Sequence, residues 1–254
     1  MSIFLRVIRN LPGLNNYFIP DVSLFYYFCS LAINKDTENM PEADIIFEKI
    51  TDNYNLKLAK FEENPDVLFQ QICDDLSDDE RTNFIKIKNN KRKVEWLGTR
   101  ILLKNMLGKY LKIHYNNKGN PYINHKKYIS ITHSGNYIGM IISKNEAVGI
   151  DTEFISDRIL RTAHKFIPEN ILQNISEENV LEKIYLHWCC KETLYKIKGG
   201  GGYDFKKDFI LESFQLKETG DITSFITKNQ TNRYKLSYQF INQKNKKLLI
   251  VWHG

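Results

Sequence analysis

Residues 181–198 constrain this chain most. Leu181, Ile184, Tyr185, Trp188 and Tyr195 recur at the three- and four-residue spacing of one helix face. An apolar stripe of that length needs a covering layer, so the segment reads as a core helix of a globular protein. Four glycines at 199–202 follow it directly. The run reads as a helix stop rather than a phosphate-cradling loop, because it closes a long periodic segment and lacks the Walker pattern. Glu192 interrupts the stripe. It lies on the apolar face, four residues after Trp188 and three before Tyr195. A carboxylate there costs stability unless it is paired or bound to a metal. Lys196, four residues on, offers a partner in the favourable Glu-before-Lys order. A partly buried ion pair and a ligand-binding acid are both open readings of Glu192.

A second acidic feature lies upstream, in Val148-Gly149-Ile150-Asp151-Thr152-Glu153. At a strand end, Asp151 and Glu153 would point to one face, because strand side chains alternate with period two. Adjacent carboxylates repel unless a cation or a shared proton intervenes. A hard divalent cation such as Mg²⁺ suits an all-oxygen site, while a solvated strand end is the plainer reading.

Together, Gly149-Ile150-Asp151-Thr152-Glu153 and Trp188-Cys189-Cys190-Lys191-Glu192-Thr193-Leu194-Tyr195-Lys196 resemble the 4′-phosphopantetheinyl transferase superfamily. Its signature is Gly-Ile-Asp-x-Glu followed by Trp-x-x-Lys-Glu-small-x-x-Lys. Two upstream segments extend the resemblance. Ile131-Thr132-His133-Ser134-Gly135 is similar to the family's Ser-His-Ser segment, and Lys118-Gly119-Asn120-Pro121 to its basic turn. Four ordered motifs thus cover about residues 76–210, in the manner of the surfactin-synthetase-activating, two-lobed, single-chain type.

The resemblance implies an α+β fold of two similar lobes related by a pseudo-twofold, divided as 1–146 and 147–254, with the ligand between them. It implies transfer of 4′-phosphopantetheine from coenzyme A to a serine of an apo acyl, peptidyl or polyketide carrier protein. Adenosine 3′,5′-bisphosphate would be released. Mg²⁺ would be held by Asp151, Glu153 and Glu192. Glu192 would take the serine proton and Lys196 would stabilise the leaving side or tune Glu192. Lys118, Thr132, His133 and Arg81 would hold coenzyme A. Asn120 stands where the family usually has a second basic residue, which implies one phosphate contact fewer. Arg100 would make a structural ion pair.

The remaining chain agrees with an ordered protein. The 254 residues are 42% hydrophobic and 13% aromatic, which fits a globular chain of one large or two small domains. A net charge of +6 suits an anionic ligand or an acidic partner. Nucleic-acid binding would rest on Lys91-Arg92-Lys93, with no recognisable module around it. Cys29, Cys73, Cys189 and Cys190 lack zinc-ligand spacing, so a reducing cytosol is expected. No apolar run is long enough for a membrane span, and residues 1–19 lack the apolar core of a signal peptide.

Local signals mark several elements. Residues 24–33 read as a buried strand, and 41–73 as helices. Ser77-Asp78-Asp79-Glu80 is a capping box, so a helix starts near Asp78. Lys91 opens another helix running to about Tyr110. Residues 128–132 and 137–143 read as paired strands, 144–147 as a linker and 158–166 as a helix. Residues 234–240 and 247–252 read as a C-terminal hairpin. A homologue that binds coenzyme A or a carrier without transferring is the alternative reading, supported by Asn120 and Thr132.

Overall fold

Alternation decides the first elements of the computed structural model, which describes residues 43–124 and 127–254. The strand expected at 24–33 lies outside the described residues. Strand β1 (Asp44–Ile50) and strand β2 (Tyr54–Lys60) form an antiparallel hairpin. The helices expected over 41–73 are therefore largely replaced by strands. Tyr54, Leu56 and Leu58 recur with period two and are buried, so the segment satisfies a sheet and not a helix face. Thr51 closes the turn, its Oγ1 accepting from the N–H groups of Asn53 and Tyr54. Only helix α1 (Pro65–Ile72) remains, started by Asn64, whose Oδ1 accepts from the N–H of Asp66 at 2.9 Å.

Helix α2 (Asp78–Ile85) begins where the capping box places it. Helix α3 (Asn90–Leu107) is capped by Asn89 and ends at Gly108 in the left-handed conformation. Short strands β3 (Ile113–Tyr115) and β4 (Pro121–Ile123) flank the turn at 116–120. Strand β5 (Tyr128–Ser134) and strand β6 (Tyr137–Ser143) pair antiparallel, as expected. These complete a four-stranded sheet in the order β1-β2-β6-β5.

After a short bend, strand β7 (Gly149–Phe154) opens the second sheet. The helix expected at 158–166 is instead two 3₁₀ turns, Asp157–Arg161 and Ala163–Lys165. Thr162 interrupts the run, because its hydroxyl takes the Ile159 carbonyl at 3.2 Å and competes with helix continuation. Helix α4 (Glu169–Leu172) is a single turn, and helix α5 (Val180–Ile197) is the long apolar-striped element. Strands β8 (Phe209–Leu211), β9 (Thr219–Ile226), β10 (Asn232–Gln243) and β11 (Lys246–His253) finish the chain. The last two form the expected hairpin, and the five-stranded order is β7-β11-β10-β9-β8.

Strand β11 is buried on both faces and ties the cores together. Leu248, Ile250 and Trp252 pack with Leu56, Leu58 and Ile141 of the first sheet. Leu249 and Val251 face the other way, into a core with Tyr185, Cys189 and Leu194 of α5. The fold is thus a mixed α and β arrangement. Among the described residues no helix is long and apolar enough to cross a membrane.

Candidate active site

Helix α5 approaches β7 closely, and Gly149 permits it. A Cβ at Gly149 would lie 2.4 Å from the carbonyl oxygen of Thr193. This contact brings Lys196 and Glu192 of the helix to the carboxylates of the strand. Lys196 Nζ donates to Asp151 Oδ1 at 2.7 Å and to the carbonyl of Ile150 at 2.8 Å. Asp151 is buried, and its Oδ1 also accepts from Thr132 Oγ1 at 3.2 Å. Glu153 Oε2 accepts from Ser134 Oγ and from Arg158 Nη2, each at 3.2 Å.

The acids repel one another through a poorly hydrated space. Burial, then the charge of Asp151, pushes the Glu192 carboxyl up to about 7, with Lys196 opposing. Burial and Asp151 also raise Glu153. Asp151 Oδ2 is buried without a hydrogen-bond partner. Three carboxylates and an orphaned acceptor are the donor chemistry of a hard divalent cation. Among the described residues, however, no group of three or more His, Cys, Asp or Glu is arranged, as it stands, to hold a metal ion. Asp151, Glu153 and Glu192 fit such an ion by donor type, not by present spacing.

A cavity of about 890 Å³ adjoins these acids. Glu153 and Glu192, with Arg158 and Lys165, form its charged wall, while Phe166, Trp188, Tyr195 and Phe205 form its aromatic wall. Trp188 packs on the Phe166 and Phe205 rings, with centroids 5.0 and 5.8 Å away. Lys191 holds this wall from behind. Its buried ammonium donates to the carbonyls of Phe205 and Phe209, and burial lowers it to about 8.

A second cavity, about 510 Å³, is basic. Lys86, Lys88, Arg92 and His133 line it at the start of α3, beside Trp96 and Tyr115. The positive end of the helix dipole adds to this field. His133 Nε2 lies 2.9 Å from Thr99 Oγ1. Burial, then the charges of Lys196 and Arg92, hold His133 below the usual imidazole range, although the residue keeps an edge open to solvent. Lys196 therefore acts electrostatically on both cavities.

The other expected residues lie elsewhere. Arg81 donates from Nε and Nη2 to the carbonyl of Cys73, at 3.1 and 2.8 Å, and does not line the basic cavity. Lys118 sits in the exposed turn at 116–120, opposite Gly201. Arg100 pairs with Glu80 at 3.1 Å in a buried contact, as expected. Lys86 and Lys88 escape a reading by sequence motif. The alternation Lys86-Ile87-Lys88-Asn89 before a helix cap is the signal that marks them, since it aims two cations at a helix start.

The matched segment coincides with the acidic half of this geometry. Residues 147–250 match the model of the 4′-phosphopantetheinyl transferase superfamily. The segment runs from two residues before β7 into β11 and contains Asp151, Glu153, Glu192 and Lys196. The 4′-phosphopantetheinyl transferase gsp of Aneurinibacillus migulanus is 27% identical over 146 residues, covering 54% of this chain. The chain spans 61% of the length of that relative. The basic cavity lies before the matched superfamily segment.

Proposed function

We propose that this protein transfers 4′-phosphopantetheine from coenzyme A to a serine hydroxyl of an apo carrier protein and releases adenosine 3′,5′-bisphosphate. One observation carries the reading. Lys196, paired with Asp151 at 2.7 Å, acts electrostatically both on Glu192, which lines an aromatic-walled cavity, and on His133, which lines a basic one. A long ligand with a pyrophosphate between an anionic nucleotide and an apolar arm suits that sequence of surfaces.

The basic cavity holds the nucleotide phosphates through Lys86, Lys88, Arg92 and His133. Lys118 and Arg81 are the further phosphate contacts that the family resemblance implies. Asp151, Glu153 and Glu192 would hold Mg²⁺, which would supply positive charge against the negative charge developing on the pyrophosphate. The serine Oγ attacks the phosphorus next to the pantetheine arm, and its proton passes to a Glu192 oxygen. The phosphorus–oxygen bond to the nucleotide breaks, and the electron pair leaves with adenosine 3′,5′-bisphosphate. Two of the three Lys196 donors are committed to Asp151 and Ile150, and the third is free to meet the leaving oxygen.

The chain acts as a monomer of two lobes, 1–146 and 147–254, related by a pseudo-twofold. In support, each sheet carries one long helix, and α3 and α5 are both 18 residues. The free, buried thiols of Cys189 and Cys190 support a reducing, cytoplasmic setting.

The deciding experiment is the intact mass of apo acyl, peptidyl and polyketide carriers after incubation with coenzyme A and Mg²⁺. A gain of one phosphopantetheinyl group, lost in Glu192→Ala, is expected. Coenzyme A binding without transfer to any carrier would replace this reading by that of a binding protein.

A further inference from the structure

Strands β5 and β7 are edge strands of different sheets, and each presents backbone groups that its own sheet does not pair. Three hydroxyls of β5 fill that gap. Ser130 Oγ accepts from the N–H of Ile150 at 3.2 Å. Thr132 Oγ1 accepts from the N–H of Thr152 at 3.1 Å. Ser134 Oγ accepts from the N–H of Phe154 at 3.3 Å. Each rung joins residues 20 apart, so β7 runs parallel to β5 beside it. The period of two on both strands is what allows every rung to repeat.

Two of these hydroxyls have a second bond. Thr132 donates to Asp151 Oδ1 and Ser134 donates to Glu153 Oε2. A hydroxyl has only one proton to give. Thr132 spends it on Asp151 and is 3% exposed, which leaves no donor for a phosphate oxygen. Lys196 shares the same Oδ1, so Thr132 and Lys196 together turn Oδ2 to the side that has no partner.

We propose that Ser130, Thr132 and Ser134 form a hydroxyl ladder that sets β7 against β5, and that Thr132 and Ser134 are positioning residues for the Asp151 and Glu153 carboxylates rather than ligands of coenzyme A. The positioning part rests on the reading of Asp151 and Glu153 as the reactive acids. The ladder itself stands on the hydrogen bonds alone.

The test compares Thr132→Val with Thr132→Ser. Valine keeps the methyl that packs beneath Gly139 and removes only the hydroxyl, while serine keeps the hydroxyl. Carrier loading by Thr132→Val should show kcat lowered by about tenfold or more with the KM for coenzyme A unchanged, the pattern of a lost transition-state contribution. Thr132→Ser should restore kcat. Amide hydrogen exchange gives a readout independent of turnover. The Thr152 amide should exchange faster in Thr132→Val and at the wild-type rate in Thr132→Ser. A raised KM for coenzyme A with kcat preserved would overturn the positioning role in favour of a phosphate contact. Wild-type exchange at Thr152 in the valine variant would overturn the ladder. If the unaltered protein loads no carrier, the functional reading falls while the exchange result still decides the ladder.

Discussion

The side-chain amide of Asn120 donates to the carbonyl oxygen of Gly199 at 2.5 Å, across 79 residues of chain. It fastens the turn at 116–120 to the four glycines that end α5. All four have positive φ, from 61° to 97°, which a side chain would resist. Asn120 thus has a structural partner at the position where the family resemblance implies one phosphate contact fewer. Asn120→Ala should remove about 1 kcal/mol of stability and lower Tm by about 2–4 °C. An unchanged Tm by calorimetry would show that the turn does not hold the glycine loop.

Lys196 is the sole cation bonded to Asp151 among the described residues. Lys196→Met keeps the length of the stem and removes the charge. Turnover should fall by about a hundredfold, as when a preorganised charge contact is deleted, with the KM for the carrier little changed. Steady-state kinetics showing wild-type kcat would remove Lys196 from the mechanism.

Gly149 meets backbone, which cannot swing aside as a side-chain tip can. Its Cβ would also fall 2.9 Å from Ile197 Cγ1. Gly149→Ala should force α5 away from β7, at a cost of about 3 kcal/mol. Thermal unfolding should shift down by about 6–12 °C. Carrier loading should fall too, because Lys196 and Glu192 move with the helix. A variant with wild-type Tm would show that the helix yields freely.

Glu80 and Arg100 are 3% and 4% exposed, and Tyr110 donates to the same Glu80 oxygen at 2.6 Å. Removing one partner strands a charge in the core. Arg100→Met should cost about 3–5 kcal/mol, seen as a fall in denaturation midpoint at unchanged slope. Glu80→Gln in the same chain should recover part of the loss. A double variant no more stable than Arg100→Met would count against the stranded charge as the cause.

His187 is 7% exposed, and burial lowers its imidazole to about 4. The folded protein therefore binds this proton less tightly than the unfolded chain, whose value is near 6.5. The stability tied to neutral His187 is complete above pH 6.5 and is lost as pH falls towards 4. The loss is about 3 kcal/mol over that window. His187→Leu should flatten the acid limb of a Tm–pH profile by that amount. An identical acid limb would mean that His187 titrates normally.

Much of the site is legible in the residue pattern alone. Glu192 and Lys196 declare themselves by breaking an apolar stripe at helical spacing, and Asp151 and Glu153 by sharing one strand face. Those are local periodicities, set by backbone geometry, so they survive into the fold unchanged. Residues 41–73 mislead, because a seven-residue strand and a short helix carry similar mixtures of charge and apolar side chains. Composition there is silent, and only pairing with β6 selects the strand.

Other features exist only in three dimensions. Nothing near Lys86 or Lys88 announces His133, and nothing near Ser130, Thr132 or Ser134 announces the unpaired amides 20 residues on. Nor does the Asn120 turn signal that it meets Gly199. The sequence by itself determined which residue types stand on which face of each element, because that follows from φ, ψ and side-chain period. The tertiary structure alone decided which edges and faces meet. That choice depends on burying two sheets and two long helices together, a sum over the whole chain that no local pattern contains.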